Sequence, residues 1–462
     1  MRLPLNALSE KLFVATRIDG LGGRLLAMLG AKFLADRLGG RFGFTWRPVE
    51  EQFHLVAPVG KIFSAGFIER HWLGERIDEA EFDMLGRERF TSAILERRAE
   101  SGRGWLCNDF QMLKRFREGW PKDWLPGDRM VERRAQAFAT LGFSEPVRAA
   151  LDAAAGCRLT RPMAALHLRS GDIVHGRFRS TLVFEDKVIP STLARAIITR
   201  LKRKGLATLL VGQDRATLDY LKAETGALLT TDFGADAFAD QTERAFFEMG
   251  LMARCPRIYA GTSVFATIAA VIGGVPVLRT GALFGRRRTG RLILEELREY
   301  EADYDPLEAA FGYQAAFLKL ENRIGVKHAK SMLERALALD PRNDANVLKM
   351  AAICFRSKDF RAGEAVLKSA MMAQFEARPD LPLPIMKVLT GKMWRTHAMA
   401  ADFAAFFDAA RAGCPYAAAC SAHILHAALG RAKSARAMIE RALEAEPANG
   451  LFVKIRSGLR PG

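Results

Sequence analysis

Two basic side chains and an acid sit in one short run, Ala164-Ala165-Leu166-His167-Leu168-Arg169-Ser170-Gly171-Asp172. The apolar part reads as a strand that stops abruptly in polar residues. His167 and Arg169 are two apart, so a strand presents both on one face. Gly171 lets the backbone turn, and Asp172 can anchor that turn. A guanidinium at the carboxyl end of a strand suits phosphate, because its planar fork matches two oxygens. Ligands of open α/β sheets bind at such strand ends. The competing reading pairs Arg169 with a carboxylate and makes His167 a satisfied core histidine.

Three other stretches fit the phosphate reading. Leu12 to Ile18 reads as a buried strand, followed by Asp19-Gly20-Leu21-Gly22-Gly23-Arg24, a helical run from Leu25 to Leu38 and a strand from Arg41 to Trp46. Strand, glycine-rich turn, helix and strand open a Rossmann-like domain, with glycines that let a ligand approach the helix start. Thr208 to Val211 reads as a strand ending in Gly212-Gln213-Asp214. Arg257 to Ala260 reads as another, ending in Gly261-Thr262-Ser263 before a helix from Val264 to Ile272. Helices are expected from Pro190 to Lys204 and from Thr242 to Ala253, with a short strand at Ala227 to Thr230. This alternation implies a parallel sheet.

The elements divide the chain into three parts. Residues 1–155 read as an N-terminal Rossmann-like domain. Residues 156–320 read as a second Rossmann-like domain, and 291–320 have the apolar spacing of a helix that closes it. Residues 321–462 are alanine-rich and helical. There, Ala329 to Ala336 matches Gly363 to Ala370 at an offset of 34 and Ala435 to Ala442 at 106. A period of 34 with small residues and an apolar ridge resembles tetratricopeptide repeats. The copy near Ala398 to Gly413 is poor. Such repeats offer a concave face to a protein partner.

Composition sets bounds. Net charge is +17, from 69 basic and 52 acidic residues, which favours an anionic partner. No zinc finger or RNP sequence points to nucleic acid. The runs Arg286-Arg287-Arg288 and Lys202-Arg203-Lys204 read as solvated surface. Six scattered cysteines have no metal spacing, and no secretory signal is evident, which suits free thiols in the cytoplasm. Residues 258–278 carry no charge but hold four glycine or proline breakers among polar hydroxyls, so strand, helix and strand fit better than a transmembrane segment. The basic surface leaves room for a peripheral membrane contact. Trp72, Trp105, Trp120 and Trp124 sit among basic residues, where they line an acceptor groove or pack the core.

Taken together, GLGGRLLAMLGAKFLADRLGGRFGFTW, HLRSGD, VGQD and YAGTSVFATIAAVIGG resemble, in order and spacing, the motifs of the fucosyltransferase superfamily. That group contains nodulation-type, core α1,6- and protein O-fucosyltransferases. The resemblance covers about residues 10 to 290. It implies a GT-B fold, α/β with two Rossmann-like domains facing a cleft, here followed by the helical repeats; residues 1–155 would face the acceptor and 156–320 would bind the GDP-sugar. It implies inverting, metal-independent transfer of a sugar, fucose first, from a GDP-sugar to a glycan or protein hydroxyl. Arg169 would be the catalytic residue that holds the donor's β-phosphate, with His167, Gly171 and Asp172 beside it. Gly212, Gln213 and Asp214 fall on the second motif, and Thr262 and Ser263 on the third. Glu248 falls where relatives read guanine. Gly20, Gly22, Gly23 and Arg24 of the opening loop would also contact the donor, although many relatives carry Asn at the position of Gly23.

No cofactor or metal is expected. Asp303-Tyr304-Asp305 has the metal-binding pattern of a different fold but lies in a charged linker. Asp19, Glu50, Glu51 and Glu69 remain open as the general base. Two rival functions stand beside the transferase. One is an inactive transferase-like scaffold for protein partners. The other is a Rossmann oxidoreductase, disfavoured because no acid closes the second strand.

Overall fold

Phe13 and Val14 lie fully buried on a central strand of the first of two parallel sheets. The computed structural model describes residues 12–51, 54–84, 104–108, 130–393 and 396–459. Trp120, Trp124 and the first eleven residues lie outside them.

The first sheet has the order β2-β1-β6-β5, from β1 (Leu12–Ala15), β2 (Arg41–Phe44), β5 (Phe82–Met84) and β6 (Gly104–Leu106). All its pairs are parallel. A separate antiparallel hairpin joins β3 (Val49–Glu51) to β4 (His54–Val56). The second sheet has the order β11-β10-β7-β8-β9 and is also parallel throughout. Its strands are β7 (Met163–Leu168), β8 (Ala207–Gly212), β9 (Leu228–Leu229), β10 (Ile258–Tyr259) and β11 (Val277–Leu278). All six residues of β7 are buried, as helices on both faces of a parallel sheet require.

The chain folds as two compact units. Residues 1–169 and 197–280 make the first, which holds both sheets. One hydrophobic core runs through it, from Phe13, Leu25 and Phe44 to Phe246, Ile268 and Val271. The helices Glu145–Gly156 and Gln241–Ala253 pack so closely that a Cβ on Gly250 would come 2.8 Å from the Ala154 methyl. Phe143 meets Phe246 edge-on at 5.2 Å.

Residues 170–196 and 281–462 make the second unit. It is helical, with Val326–Leu339, Asp344–Arg356, Phe360–Ala377 and Ala432–Ala445 among its longer helices. The positions matched at offsets of 34 and 106 are all on helices. Ala329, Leu333 and Ala336, Gly363 and Leu367, and Ala435, Ile439 and Ala442 are buried, so the recurring pattern is an inward ridge. The poor copy coincides with a short β-ribbon, Lys392–Met393 with Thr396–His397, and a clipped helix, Phe403–Arg411.

Several boundaries differ from those expected. The glycine-rich turn is already helix: Leu21–Leu38 begins inside it, with Gly20 as its cap. Residues 291–320 are not one helix but parts of two, Arg286–Tyr300 and Pro306–Leu320. Pro306 cannot continue a helix from before it, and the Asp305 side chain caps the new one by accepting from Leu307 N–H at 2.8 Å. The 303–305 segment is therefore a helix junction around the buried Tyr304, with Asp303 and Asp305 themselves exposed to solvent. Pro190 leads into a single tight turn, Ser191–Leu193, before the α-helix Ala194–Lys202. Residues 258–278 form strand, helix and strand. Among the described residues, no helix is long and apolar enough to cross a membrane.

Candidate active site

In the second sheet the chain steps from β7 to β8 and β9 on one side, then returns to place β10 and β11 on the other. The carboxyl ends of β7 and β10 therefore flank the point where strand order reverses, which is where such sheets hold ligands. Arg169 follows β7 directly. Ala260 and Gly261 follow β10 and lead to Thr262 and to Ser263, the cap of helix Val264–Gly273. The Ser263 hydroxyl accepts from Ala266 N–H at 3.4 Å, which fixes the start of that helix.

His167 is only 7% exposed, and its ring stacks on Phe265 at 5.5 Å. Its Nδ1 is buried without a hydrogen-bond partner among the described residues. This is not a satisfied core histidine. Burial, with some help from the charge of Arg169, pushes its pKa down to about 3. The imidazole is thus neutral at working pH, and positive charge at this strand end comes from Arg169. In linkage terms, the unfolded chain takes up a proton below about 6.5 and the folded site does not. The stabilisation is complete above that value and is lost as pH falls toward 3. His167→Asn should therefore show a shallower loss of melting temperature between pH 6.5 and 4 than the parent chain. Parallel curves would place the acid sensitivity elsewhere.

The second motif lies at the end of β8. Gly212 sits against β7, where a Cβ would come 2.6 Å from the Leu168 carbonyl oxygen, so its lack of a side chain is a packing requirement. Gln213 is exposed. Asp214 caps helix Arg215–Thr225 by position but accepts no cap bond, and its Oδ2 is buried without a partner among the described residues. Glu248 lies on helix Gln241–Ala253. It accepts from the Thr230 hydroxyl at 3.0 Å and lies 3.7 Å from Arg244 Nε. Burial raises its pKa against those two partners.

The opening loop meets this region through bare backbone. A Cβ on Gly22 would lie 2.9 Å from the Val264 carbonyl carbon and 3.0 Å from the Phe265 nitrogen. Helix Leu21–Leu38 and helix Val264–Gly273 therefore touch at their amino ends, which brings the positive ends of two helix dipoles together. Gly23 has a different reason to be glycine: a Cβ there would lie 2.7 Å from the Asp19 carboxylate carbon. The carboxylate fills the space that an asparagine side chain would enter.

Arg24 does not reach outward. It is 2% exposed, and it donates to the carbonyls of Asp19 at 2.6 Å, Arg47 at 2.5 Å and Ile18 at 3.0 Å. Its expected contact with a donor is replaced by a grip on the loop. Burial lowers its pKa to about 10, opposed by Asp19.

Sequence reasoning missed the polar network beside this loop. Thr16 N–H donates to Asn108 Oδ1 at 2.8 Å, and the Asn108 amide donates back to the Thr16 hydroxyl. Arg17 donates to the Asn108 carbonyl at 2.6 Å and to both Asp19 oxygens at 2.9 and 2.5 Å. The Thr16 hydroxyl also donates to Glu79 at 3.2 Å. Nothing in the spacing of residues 16, 79 and 108 signals that β1 and β6 become neighbours. Among the four open carboxylates, Asp19 alone lies in this rim. Glu50 and Glu51 are exposed on the hairpin, and Glu69 is exposed on helix Ala65–His71. Trp105 is fully buried and stacks on Phe13 at 6.5 Å, so it belongs to the core and not to a groove. Gly171, with φ of 22°, and Asp172 lie on the short helix Gly171–Val174 of the second unit.

No protein-family model matches the chain. No curated protein matches it either. Similar solved structures include the fucosyltransferase NodZ from Bradyrhizobium, at 16% identity and a TM-score of 0.34 over 59% of this chain and 96% of that one. POFUT1 in complex with GDP is 11% identical, with a TM-score of 0.32 over 59% and 98% of the two chains. A mutant of Arabidopsis thaliana FUT1 in complex with GDP is 11% identical, with a TM-score of 0.37 over 58% and 70%.

Proposed function

We propose that the chain is a glycosyltransferase that moves a sugar, fucose first, from a GDP-sugar to a hydroxyl of a glycan or protein, with inversion and without metal. The observation that carries this is the end of β7. A buried neutral His167 with an unpartnered nitrogen precedes Arg169, where strand order reverses and beside the capped start of a helix. That is a place for a desolvated anionic ligand.

In this reading the acceptor oxygen attacks the anomeric carbon while the bond to the β-phosphate oxygen breaks. The electron pair leaves on GDP, whose growing charge Arg169 and the helix N–H groups stabilise. Asp19 takes the proton of the acceptor hydroxyl. Gly212, Gln213, Asp214 and Glu248 face the nucleoside, and the helical unit recruits the protein partner or acceptor.

One observation favours a second reading, a transferase-shaped scaffold without turnover: Arg17 occupies both oxygens of Asp19. Calorimetry with GDP, GDP-fucose and NAD, followed by turnover in excess chelator, separates the readings. Binding of both guanine ligands but not NAD, with turnover that survives chelation, is the expected result. GDP binding without transfer to any acceptor would leave the scaffold. NAD binding alone, or strict dependence on a divalent cation, would sink the proposal.

A further inference from the structure

The residue after Arg169 begins an excursion. Ser170 leads into the short helix Gly171–Val174, and the segment returns to the α/β unit along helix Ala194–Lys202. Between those points, residues 170–196 belong to the helical unit. Its fastening there is dense. The Glu308 carboxylate, on helix Pro306–Leu320, is 1% exposed. It accepts from the Ser191 hydroxyl at 2.7 Å and lies 3.3 Å from His175 Nε2. His175 directly follows the short helix, and Ser191 opens the turn before the return helix. One carboxylate therefore ties both ends of the excursion. Asp305 lies 3.8 Å from the other ring nitrogen of His175.

Further contacts hold the middle. Lys319 donates to Glu185, Asn343 donates to the Arg179 carbonyl at 3.4 Å, and Asp344 N–H donates to the Ser180 hydroxyl at 3.2 Å. Gly312, one helical turn beyond Glu308, lets the helix lie flush against the segment. A Cβ there would come 2.7 Å from the Thr192 hydroxyl.

A buried carboxylate is a poor way to gain stability, since well-packed apolar residues generally do as well. What it supplies is fixed geometry for two specific donors. Resting on the reading of Arg169 as a phosphate ligand, we propose that Glu308 is a positioning residue. It holds the excursion, and so sets the backbone direction at the turn through which Arg169 reaches the donor.

The test uses the full chain, with GDP as the probe. Glu308→Gln keeps the shape and removes the charge. It should weaken GDP binding about tenfold or more, as a displacement on the order of 1 Å does to aligned groups. Its circular dichroism should be unchanged, and hydrogen exchange should rise within 170–187. Ser191→Ala should give a smaller effect in the same direction. In an Arg169→Lys background the Glu308→Gln penalty should shrink, because both changes then act on one contact, whereas a merely structural role would add in full. If Glu308→Gln does not fold, Gly312→Ala displaces the same helix face and should weaken GDP binding in the same way. Unchanged GDP affinity in a folded variant, or full additivity with Arg169→Lys, overturns the inference. Failure of the parent chain to bind GDP overturns the reading of Arg169, and the inference falls with it.

Discussion

Arg169→Ala should abolish transfer from a GDP-sugar while leaving the protein folded. The side chain leaves β7 at the reversal of strand order, and burial holds the neighbouring imidazole, with its pKa pushed down to about 3, in its neutral form near neutral pH. No cation from His167 can replace the guanidinium. The diphosphate develops charge as the sugar leaves, so the loss falls on the transition state as well as on donor binding. Removing one such donor typically costs 10²–10³ in rate, or about 3–4 kcal/mol. Arg169→Lys should recover little of it, because an ammonium meets phosphate as a point charge and not as a fork. Steady-state turnover and GDP calorimetry on both variants, with circular dichroism as the control, check this. Turnover within twofold of the parent would remove Arg169 from the site.

The second large effect is on stability. Arg24→Met should destabilise the α/β unit by about 3–5 kcal/mol, since each buried carbonyl left unsatisfied costs about 1–3 kcal/mol. The substitution keeps an aliphatic stem but leaves the carbonyls of Ile18, Asp19 and Arg47 without their donors. It also removes the guanidinium from the face of Trp46, 5.1 Å away. Arg24→Lys should recover part of the loss, since one ammonium cannot reach three diverging oxygens. A midpoint shift in urea at constant slope is the readout. A loss below 1 kcal/mol would mean that the loop holds its shape without Arg24. If the loop does relax, Asp19 moves with it, so any transfer should fall further than stability alone predicts.

Sequence made parts of this arrangement legible. The strand ending in His167 and Arg169, the Ser263 helix start and the Gly22 loop were visible because each is a local pattern: an apolar run, a breaker and a cap. The inward ridge of the helical unit was visible for the same reason, since Leu333, Leu367 and Ile439 recur in register. The reversal of strand order was not visible, because pairing of β10 with β7 joins residues about ninety apart, such as Ile258 and Ala165. The same holds for Thr16, Asn108 and Glu79. Arg24 was misread because a basic residue after glycines looks the same whether it faces a ligand or three carbonyls. Burial decides between the two, and burial is a tertiary property. The start of helix Leu21–Leu38 was placed too late because glycine normally argues against helix. Here close contact with the Val264–Phe265 backbone outweighs that preference.

The helical unit is discontinuous along the chain, and this bears on the order of folding. Ser191 waits 117 residues for Glu308, and Ser180 waits 164 for Asp344. A chain emerging from its amino end can pair β7 with β8 long before either partner exists. Until then residues 170–196 carry Val188, Ile189 and Leu193, all buried in the finished protein, with nothing from the second unit to cover them. Such long closures are slow, and apolar surface left open meanwhile invites misassembly. The excursion is thus the vulnerable stretch of the nascent protein. It is where a chaperone would bind and a protease would cut, and a chain halted near residue 320 would never form the Asp344 end of the clasp.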